Sequence, residues 1–530
     1  MLKGTVARLL IAVTVCAGFN AALTFQNAWP SLWVAPGAGL SVELLVVIAL
    51  LALYLEHRPA MGRLAGWCLT AFLFLLIVGR YFAVTAHALF GRSINLYFDL
   101  PHLPEVVAMT AGARSVWEIL FFSLAALALP AAMLLLIRWG IGALARCFAD
   151  VSTRRLSAGL ATAGILAFAA AFLPALGAVS KGFARPISPV YAQQVEFAAD
   201  ALFGPETPDF LSQPAVEPDV ATLKGADVFV LFLESYGEVA YRVPEISADI
   251  RARAEQADRS LRAKGWYIAS GFFTSPTFGG GSWLAHSSFL AGAVVSQNRD
   301  YQLLLSSNRH TFVRSFERAG YRTVALMPGL KLAWPEGQFY GFDKIYDAST
   351  LGYEGPAFGW WTIPDQFTLG RFAEREMQVP DRKPLFVVYP TVMSHMPFTP
   401  VPPYLSDWTR ALDPAAYAGA ARGLADSLGD WKAARGSYRR AMLYDIALVE
   451  GFLAEEAPKD ALVVALGDHQ PPGIVSGAGA TWLVPVHIFS RDENRIAAFR
   501  KRGFRDGFVP AGGSLGDFAL LHRKVAEALK

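Results

Sequence analysis

Ala461–Pro472 reads ALVVALGDHQPP: six apolar residues, a glycine, aspartate and histidine side by side, then Gln470 and two prolines. A run this short, rich in Val and Leu and closed by Gly and Pro, has the signature of a strand buried on both faces, as in a parallel sheet. The residues able to do chemistry, Asp468 and His469, come immediately after it. Adjacent side chains converge on one point only where a strand has ended and the backbone turns. A turn-forming aspartate beside a surface histidine is the plain alternative.

Working outward, runs of the same kind occur at Val228–Leu233, Thr323–Met327, Leu385–Tyr389 and Val486–Ser490, separated by stretches of helical periodicity. That alternation predicts an α/β domain with a mostly parallel central sheet. In such sheets ligands collect beyond the carboxyl ends of the strands. Glu234 follows its run directly in LESYG, His395 follows another in TVMSHMPF, and Asp468 and His469 follow a third. Strand pattern and chemistry therefore agree on one edge.

A further segment, GGGSWLAHSSFLAG from Gly279 to Gly292, joins them. Three glycines let backbone approach a ligand closely, and Ser282 opens a stretch with helical spacing, where free N–H groups favour an anion such as phosphate or sulfate. Taken alone, Ser282 reads equally as an ordinary N-cap after a flexible loop. Glu234, Ser282, Asp468 and His469 together supply two carboxylates, a hydroxyl and an imidazole. That mixed oxygen and nitrogen set suits a divalent cation, Mn²⁺ or Zn²⁺. His395 is a candidate to contact a phosphate oxygen or move a proton, although a lone histidine is more often structural. His286 lies one helical turn after Ser282 on the same face and either touches a substrate or packs. In MPGLKLAWPEGQFYGFDKIYD, Lys331, Trp334 and Glu336 are candidates for a headgroup pocket, lysine for charge and tryptophan for an apolar stem; an ordered loop explains them equally.

The chain has 530 residues, 54% of them hydrophobic and 17% charged, too apolar for a wholly soluble enzyme and too charged to lie entirely in lipid. The apolar excess falls before about Ser180, in five stretches: Val6–Phe25, Leu40–Leu55, Leu64–Thr85, Ser115–Ile137 and Leu156–Val179. Each approaches the roughly 20 residues that cross about 30 Å of hydrocarbon. Five spans are expected, with four as the fallback. Lys3, Arg8, Arg58, Arg63, Arg138, Arg146, Arg154 and Arg155 sit on one side of this pattern, with little beyond Arg92 and Arg114 on the other. By the positive-inside rule the N-terminus is cytoplasmic and everything beyond Ser180 lies outside. The first stretch carries no convincing cleavage site and reads as a retained anchor. Arg80, inside the third stretch, either has a role there or snorkels to the headgroups.

The expected organisation is therefore a helical transmembrane domain over 1–180, a proline-rich linker along the membrane surface over 181–222 with one helix near Tyr191–Leu202, and an extracytoplasmic α/β domain over 223–530. Cys16, Cys68 and Cys147 all lie in or beside the membrane part, which leaves the exported domain without a disulfide. A net charge of +3 with no basic strip interleaved with aromatics argues against a nucleic-acid partner.

The order of these segments resembles the alkaline phosphatase and sulfatase superfamily, and within it the membrane-anchored branch of lipoteichoic acid synthases and other phosphoglycerol transferases. The resemblance implies an alkaline-phosphatase-like catalytic domain in which Glu234, Ser282, Asp468 and His469 bind one catalytic metal, Ser282 is the nucleophile and His395 contacts substrate. It implies a bacterial inner-membrane enzyme with its catalytic domain on the periplasmic side. Such an enzyme moves a phosphoryl-alcohol headgroup, phosphoglycerol-like, from a lipid to a cell-envelope glycan through a phosphoserine. Ser282 stands where that branch usually has threonine, and His286 where a glutamate is common, which leaves the headgroup open. The C/S-x-P-x-R motif of formylglycine sulfatases is absent, since Ser282 is followed by Trp283, Leu284, Ala285 and His286. Phosphodiester or sulfuric ester hydrolysis by the same residues, and a non-catalytic assembly or sensory role for the fold, are the alternatives.

Overall fold

Each of the five apolar stretches forms a helix in the computed structural model: α1 (Leu2–Thr24), α2 (Val42–His57), α3 (Arg63–Phe90), α4 (Val116–Phe148) and α5 (Val151–Ala170). A further long helix, α6 (Ser188–Phe203), follows. The structure describes all residues except 1, 29–30, 59, 91–93, 101–102, 105–106, 108–114, 172–180, 204–210, 212–213, 332–333, 359–360 and 420–432. Among the described residues three helices are long and apolar enough to cross a membrane, Val6–Thr24, Arg63–Ala86 and Val116–Phe148. The second stretch yields only 16 helical residues, and the C-terminal end of the fifth lies outside the described residues, as do Arg92 and Arg114. The cysteines are free.

By packing, the chain divides into two units, Met1–Gly204 and Pro205–Lys530. Within the first, Arg80 is 4% exposed and its guanidinium donates to the carbonyls of Thr24 (3.3 Å), Phe25 (2.8 Å) and Arg185 (3.2 Å). The last carbonyls of a helix have no partner within it. Arg80 supplies one at the end of α1, so in this structure its charge is used on backbone.

In the second unit the five apolar runs all become strands: β1 (Val228–Leu233), β3 (Arg322–Leu326), β5 (Leu385–Pro390), β6 (Leu462–Gly467) and β7 (Leu483–Ser490). Four others join them: β2 (Tyr267–Thr274), β4 (Lys344–Tyr346), β8 (Arg505–Asp506) and β9 (Ser514–Asp517). The nine-stranded sheet runs β8-β2-β7-β6-β1-β5-β3-β4, with β9 beside β2. Pairings from β6 through β4 are parallel, whereas β7 is antiparallel to both β6 and β2. The Val486–Ser490 run is thus not the parallel strand expected. Burial on both faces gives the same unbroken apolar run whichever way a strand points.

Alternate β1 residues feed two cores. Phe229, Leu231 and Leu233 pack with the helices α7 (Pro244–Ala263) and α10 (Ala434–Gly451), while Val228, Val230 and Phe232 pack with α8 (Ser282–Ala291) and α11 (Phe518–Ala528). Helices on both faces of a sheet whose central strands are buried make a three-layer α/β/α unit, with α9 (Asp365–Phe372) entering the first core through Phe367 and Phe372.

Register then positions the chemistry. In the parallel β1–β6 pair Leu233 lies opposite Gly467, so Glu234 and Asp468 leave the sheet side by side. Gly467 is required there, because a Cβ at that position would stand 1.9 Å from the Tyr236 carbonyl oxygen. Gly467→Ala is expected to force the two strand ends apart and cost about 1–3 kcal/mol, as overpacking of a close contact does. A urea-unfolding midpoint unchanged from wild type would contradict this.

Candidate active site

At the strand ends the Ser282 hydroxyl lies 3.0 Å from Glu234 Oε2 and 3.1 Å from His469 Nε2. His469 Nε2 is 3.5 Å from Glu234 Oε1 and 3.7 Å from Asp468 Oδ2. Residues from three separate segments, numbered 234, 282 and 468–469, therefore meet around one small space, with ligand atoms of Glu234, Asp468 and His469 all within 4.8 Å of one another. Ser282 arrives because Gly281, in the left-handed region at φ 80°, turns the glycine loop into the first turn of α8. The free amides of that turn favour negative charge beside the hydroxyl.

Backbone contacts fix which atoms face inward. His469 Nδ1 lies 2.8 Å from the Gln470 carbonyl, which can only accept. The proton of the neutral ring is therefore on Nδ1, and the Nε2 lone pair points at Ser282 and Glu234. The same Gln470 carbonyl accepts from Gly279 N at 3.0 Å, so one oxygen ties the glycine loop to the Asp468–His469 turn. Asp468 Oδ1 accepts from the amides of Ser235 (2.8 Å) and His469 (2.7 Å), whereas Oδ2 is buried without a hydrogen-bond partner.

That arrangement turns three groups with lone pairs toward one another, with the Ser282 hydroxyl between Glu234 and His469. Burial, and then repulsion from Glu234, push the Asp468 carboxyl up to about 6. For His469 burial opposes charge, but the neighbouring Asp468 and Glu234 carboxylates outweigh it and the imidazole is raised. Buried negative charge with an orphaned carboxylate oxygen and an inward imidazole lone pair fits a divalent cation. An ion bound there must displace the Asp468 proton at low pH. Zinc affinity is expected to fall at least about tenfold between pH 7 and pH 5, the consequence of one displaced proton with a pKa near 6. Calorimetric titration giving a constant affinity over that interval would contradict it.

The other residues singled out from sequence lie in different situations. His395 is beside the ring of Trp361, 4.8 Å between centroids, and its Nδ1 is 2.8 Å from the Met396 carbonyl. Burial lowers its pKa, which keeps it neutral with the Nε2 lone pair available. His286 packs 4.2 Å from the Phe232 ring, its Nε2 is buried without a partner, and burial brings it down to about 4. Trp334 stacks on Tyr340 at 5.8 Å and packs against the core shared by β1 and α8. Lys331 is exposed, and Glu336 precedes the short helix Gly337–Tyr340.

Four residues that shape this site carried no signal of their own in the sequence. Asp365, at the start of α9 and fully buried, accepts from Tyr389 Oη (2.5 Å) and from the amides of Val392 and Met393 (both 2.9 Å), and so pins the loop that carries His395. Trp361 covers His395, Gln470 joins two loops, and Ser235 contacts both carboxylates. Each has at least one partner distant in sequence, Val392 for Asp365, His395 for Trp361, Gly279 for Gln470 and Asp468 for Ser235.

No family model and no curated protein sequence matches the chain. Among solved structures it is similar to the integral membrane lipooligosaccharide phosphoethanolamine transferase EptA of Neisseria meningitidis, with 16% identity over 91% of this chain and 92% of that one and a TM-score of 0.38. It is similar also to the lipoteichoic acid synthase LtaP of Listeria monocytogenes (16% identity, TM-score 0.36), covering 50% of this chain and just under two thirds, 65%, of the other. The phosphoglycerol transferase GacH of Streptococcus pyogenes matches at 16% identity and a TM-score of 0.34, over 51% of this chain and 69% of that one. A protein of the alkaline phosphatase superfamily from Vibrio parahaemolyticus is also among the matches, at 16% identity and a TM-score of 0.31, over 52% of this chain and 62% of that one.

Proposed function

We propose that this chain is a membrane-anchored, metal-dependent phosphotransferase that moves a phosphoryl-alcohol headgroup, phosphoglycerol-like, from a lipid to a cell-envelope glycan through a phosphoserine at Ser282. The observation that carries it is the position of the Ser282 hydroxyl at a helix N-terminus, within hydrogen-bond distance of both Glu234 and His469. A serine placed for turn formation alone has no need of a buried carboxylate and an imidazole lone pair directed at its oxygen.

Glu234, Asp468 and His469 would hold the ion, with Ser282 beside it. A bound Mn²⁺ or Zn²⁺ supplies positive charge that lowers the pKa of a neighbouring hydroxyl and neutralises phosphate oxygens. Ser282 Oγ loses its proton and attacks phosphorus; the bond from phosphorus to the diacylglycerol oxygen breaks, and that oxygen takes up a proton. In the second half an acceptor hydroxyl loses its proton, bonds to phosphorus and releases Ser282, which is reprotonated. His395, neutral with an open Nε2, takes and returns a proton near the leaving or attacking oxygen. The amides at the start of α8 stabilise the charge that builds on the phosphoryl oxygens. The apolar helices of the first unit keep the enzyme in the membrane that carries its donor, with the catalytic unit on the periplasmic side.

The test is incubation of the full-length protein in vesicles with headgroup-labelled phosphatidylglycerol, zinc or manganese, and envelope glycan. Label on the glycan is the expected result. Label only in free glycerol phosphate would replace transfer by hydrolysis, and no release at all would overturn the proposal.

A further inference from the structure

Ser235 occupies a backbone conformation that a serine adopts only at a cost. Its φ is +58°, in the left-handed region where glycine is the cheaper residue. The turn is held in place by Tyr438, whose hydroxyl donates to the Ser235 carbonyl (3.0 Å) and accepts from Gly237 N (3.3 Å). Backbone strain that persists in this way collects at sites where the side chain has work that a glycine cannot perform.

What Ser235 does is touch both acidic residues of the site. Its amide donates to Asp468 Oδ1 at 2.8 Å, and its hydroxyl donates to Glu234 Oε1 at 2.8 Å. One oxygen of each carboxylate is thereby occupied. The other oxygens are Glu234 Oε2, which faces the Ser282 hydroxyl, and Asp468 Oδ2, buried and without a hydrogen-bond partner. Two carboxylates in a buried space repel each other and would swing apart or take up a proton unless donors hold them. Ser235 is 1% exposed, so water does not compete for these contacts.

We propose that Ser235 is the positioning residue of the metal centre: it clamps Glu234 and Asp468 together before an ion arrives and presents one oxygen of each toward it. This rests on the metal-dependent function proposed above. Hydrogen-bond donors behind metal ligands are typically worth about 10–100-fold in affinity.

Ser235→Gly separates this role from a structural one, because glycine keeps the amide bond to Asp468, suits the positive φ and removes only the hydroxyl. The measurement is calorimetric zinc titration of the full-length, detergent-solubilised, metal-stripped protein, alongside its thermal unfolding without metal. The expected result is zinc affinity reduced about 10–100-fold, with the metal-free variant unfolding at the wild-type temperature or above. Zinc affinity within about twofold of wild type would overturn the inference and leave the proposed function standing. A wild-type protein that takes up no zinc or manganese would overturn both.

Discussion

Ser282→Ala is expected to abolish headgroup release from the lipid donor, lowering the rate at least about 10³-fold, as loss of a nucleophile does in covalent catalysis. The Ser282 hydroxyl, at the start of α8, is the group that Glu234 and His469 both face. The substitution removes one oxygen from the first turn of α8, while the buried positions that anchor that helix, Ala285, Phe289 and Leu290, are untouched. Folding and zinc affinity should therefore change far less than the rate. Assay of label released from phosphatidylglycerol vesicles checks this, and a variant within about tenfold of wild type would mean that Ser282 is not the nucleophile.

Asp468→Asn should have the second large effect, on metal rather than on rate alone. Asparagine keeps the shape of the side chain and can keep its oxygen toward the amides of Ser235 and His469, but the charge on the orphaned Oδ2 is gone. Losing a direct ligand should cost more than the about 10–100-fold of a supporting hydrogen bond, so zinc affinity is expected to fall by at least about 10³-fold. The metal-free variant should unfold at the same temperature as wild type or higher, because a buried carboxyl repelled by Glu234 has become neutral. Opposite signs for metal affinity and metal-free stability distinguish a ligand from a structural aspartate. A loss of both would mark Asp468 as structural.

The core of the sheet was legible because β1, β5 and β6 are buried on both faces and so read as unbroken apolar runs. Strand direction was not, since only the partner decides it, and β7 proved antiparallel. The strand β2 was missed because YIASGFFT is interrupted by Ala269, Ser270 and Gly271. Ser270 is tolerated inside because its hydroxyl meets His487 Nδ1 (2.8 Å) and the Gly507 carbonyl (2.6 Å), partners more than 200 residues away. The gathering of Glu234, Asp468 and His469 was legible for a physical reason: side chains that follow paired parallel strands leave the sheet together. Ser235, Gln470, Trp361 and Asp365 were not legible. Serine, glutamine, tryptophan and aspartate are common in turns, and what these four do depends on the amides, rings and carboxylates that folding brings to them.

The most direct measurement is intact-protein and peptide mass spectrometry of the full-length protein after brief incubation with phosphatidylglycerol vesicles and zinc or manganese, without glycan acceptor. A covalent phosphoryl-alcohol adduct on the peptide containing Ser282, absent when metal is withheld and absent from Ser282→Ala, is the expected result. An unmodified Ser282 while donor lipid is consumed, or an adduct that forms equally without metal, would contradict a metal-assisted serine nucleophile at this site.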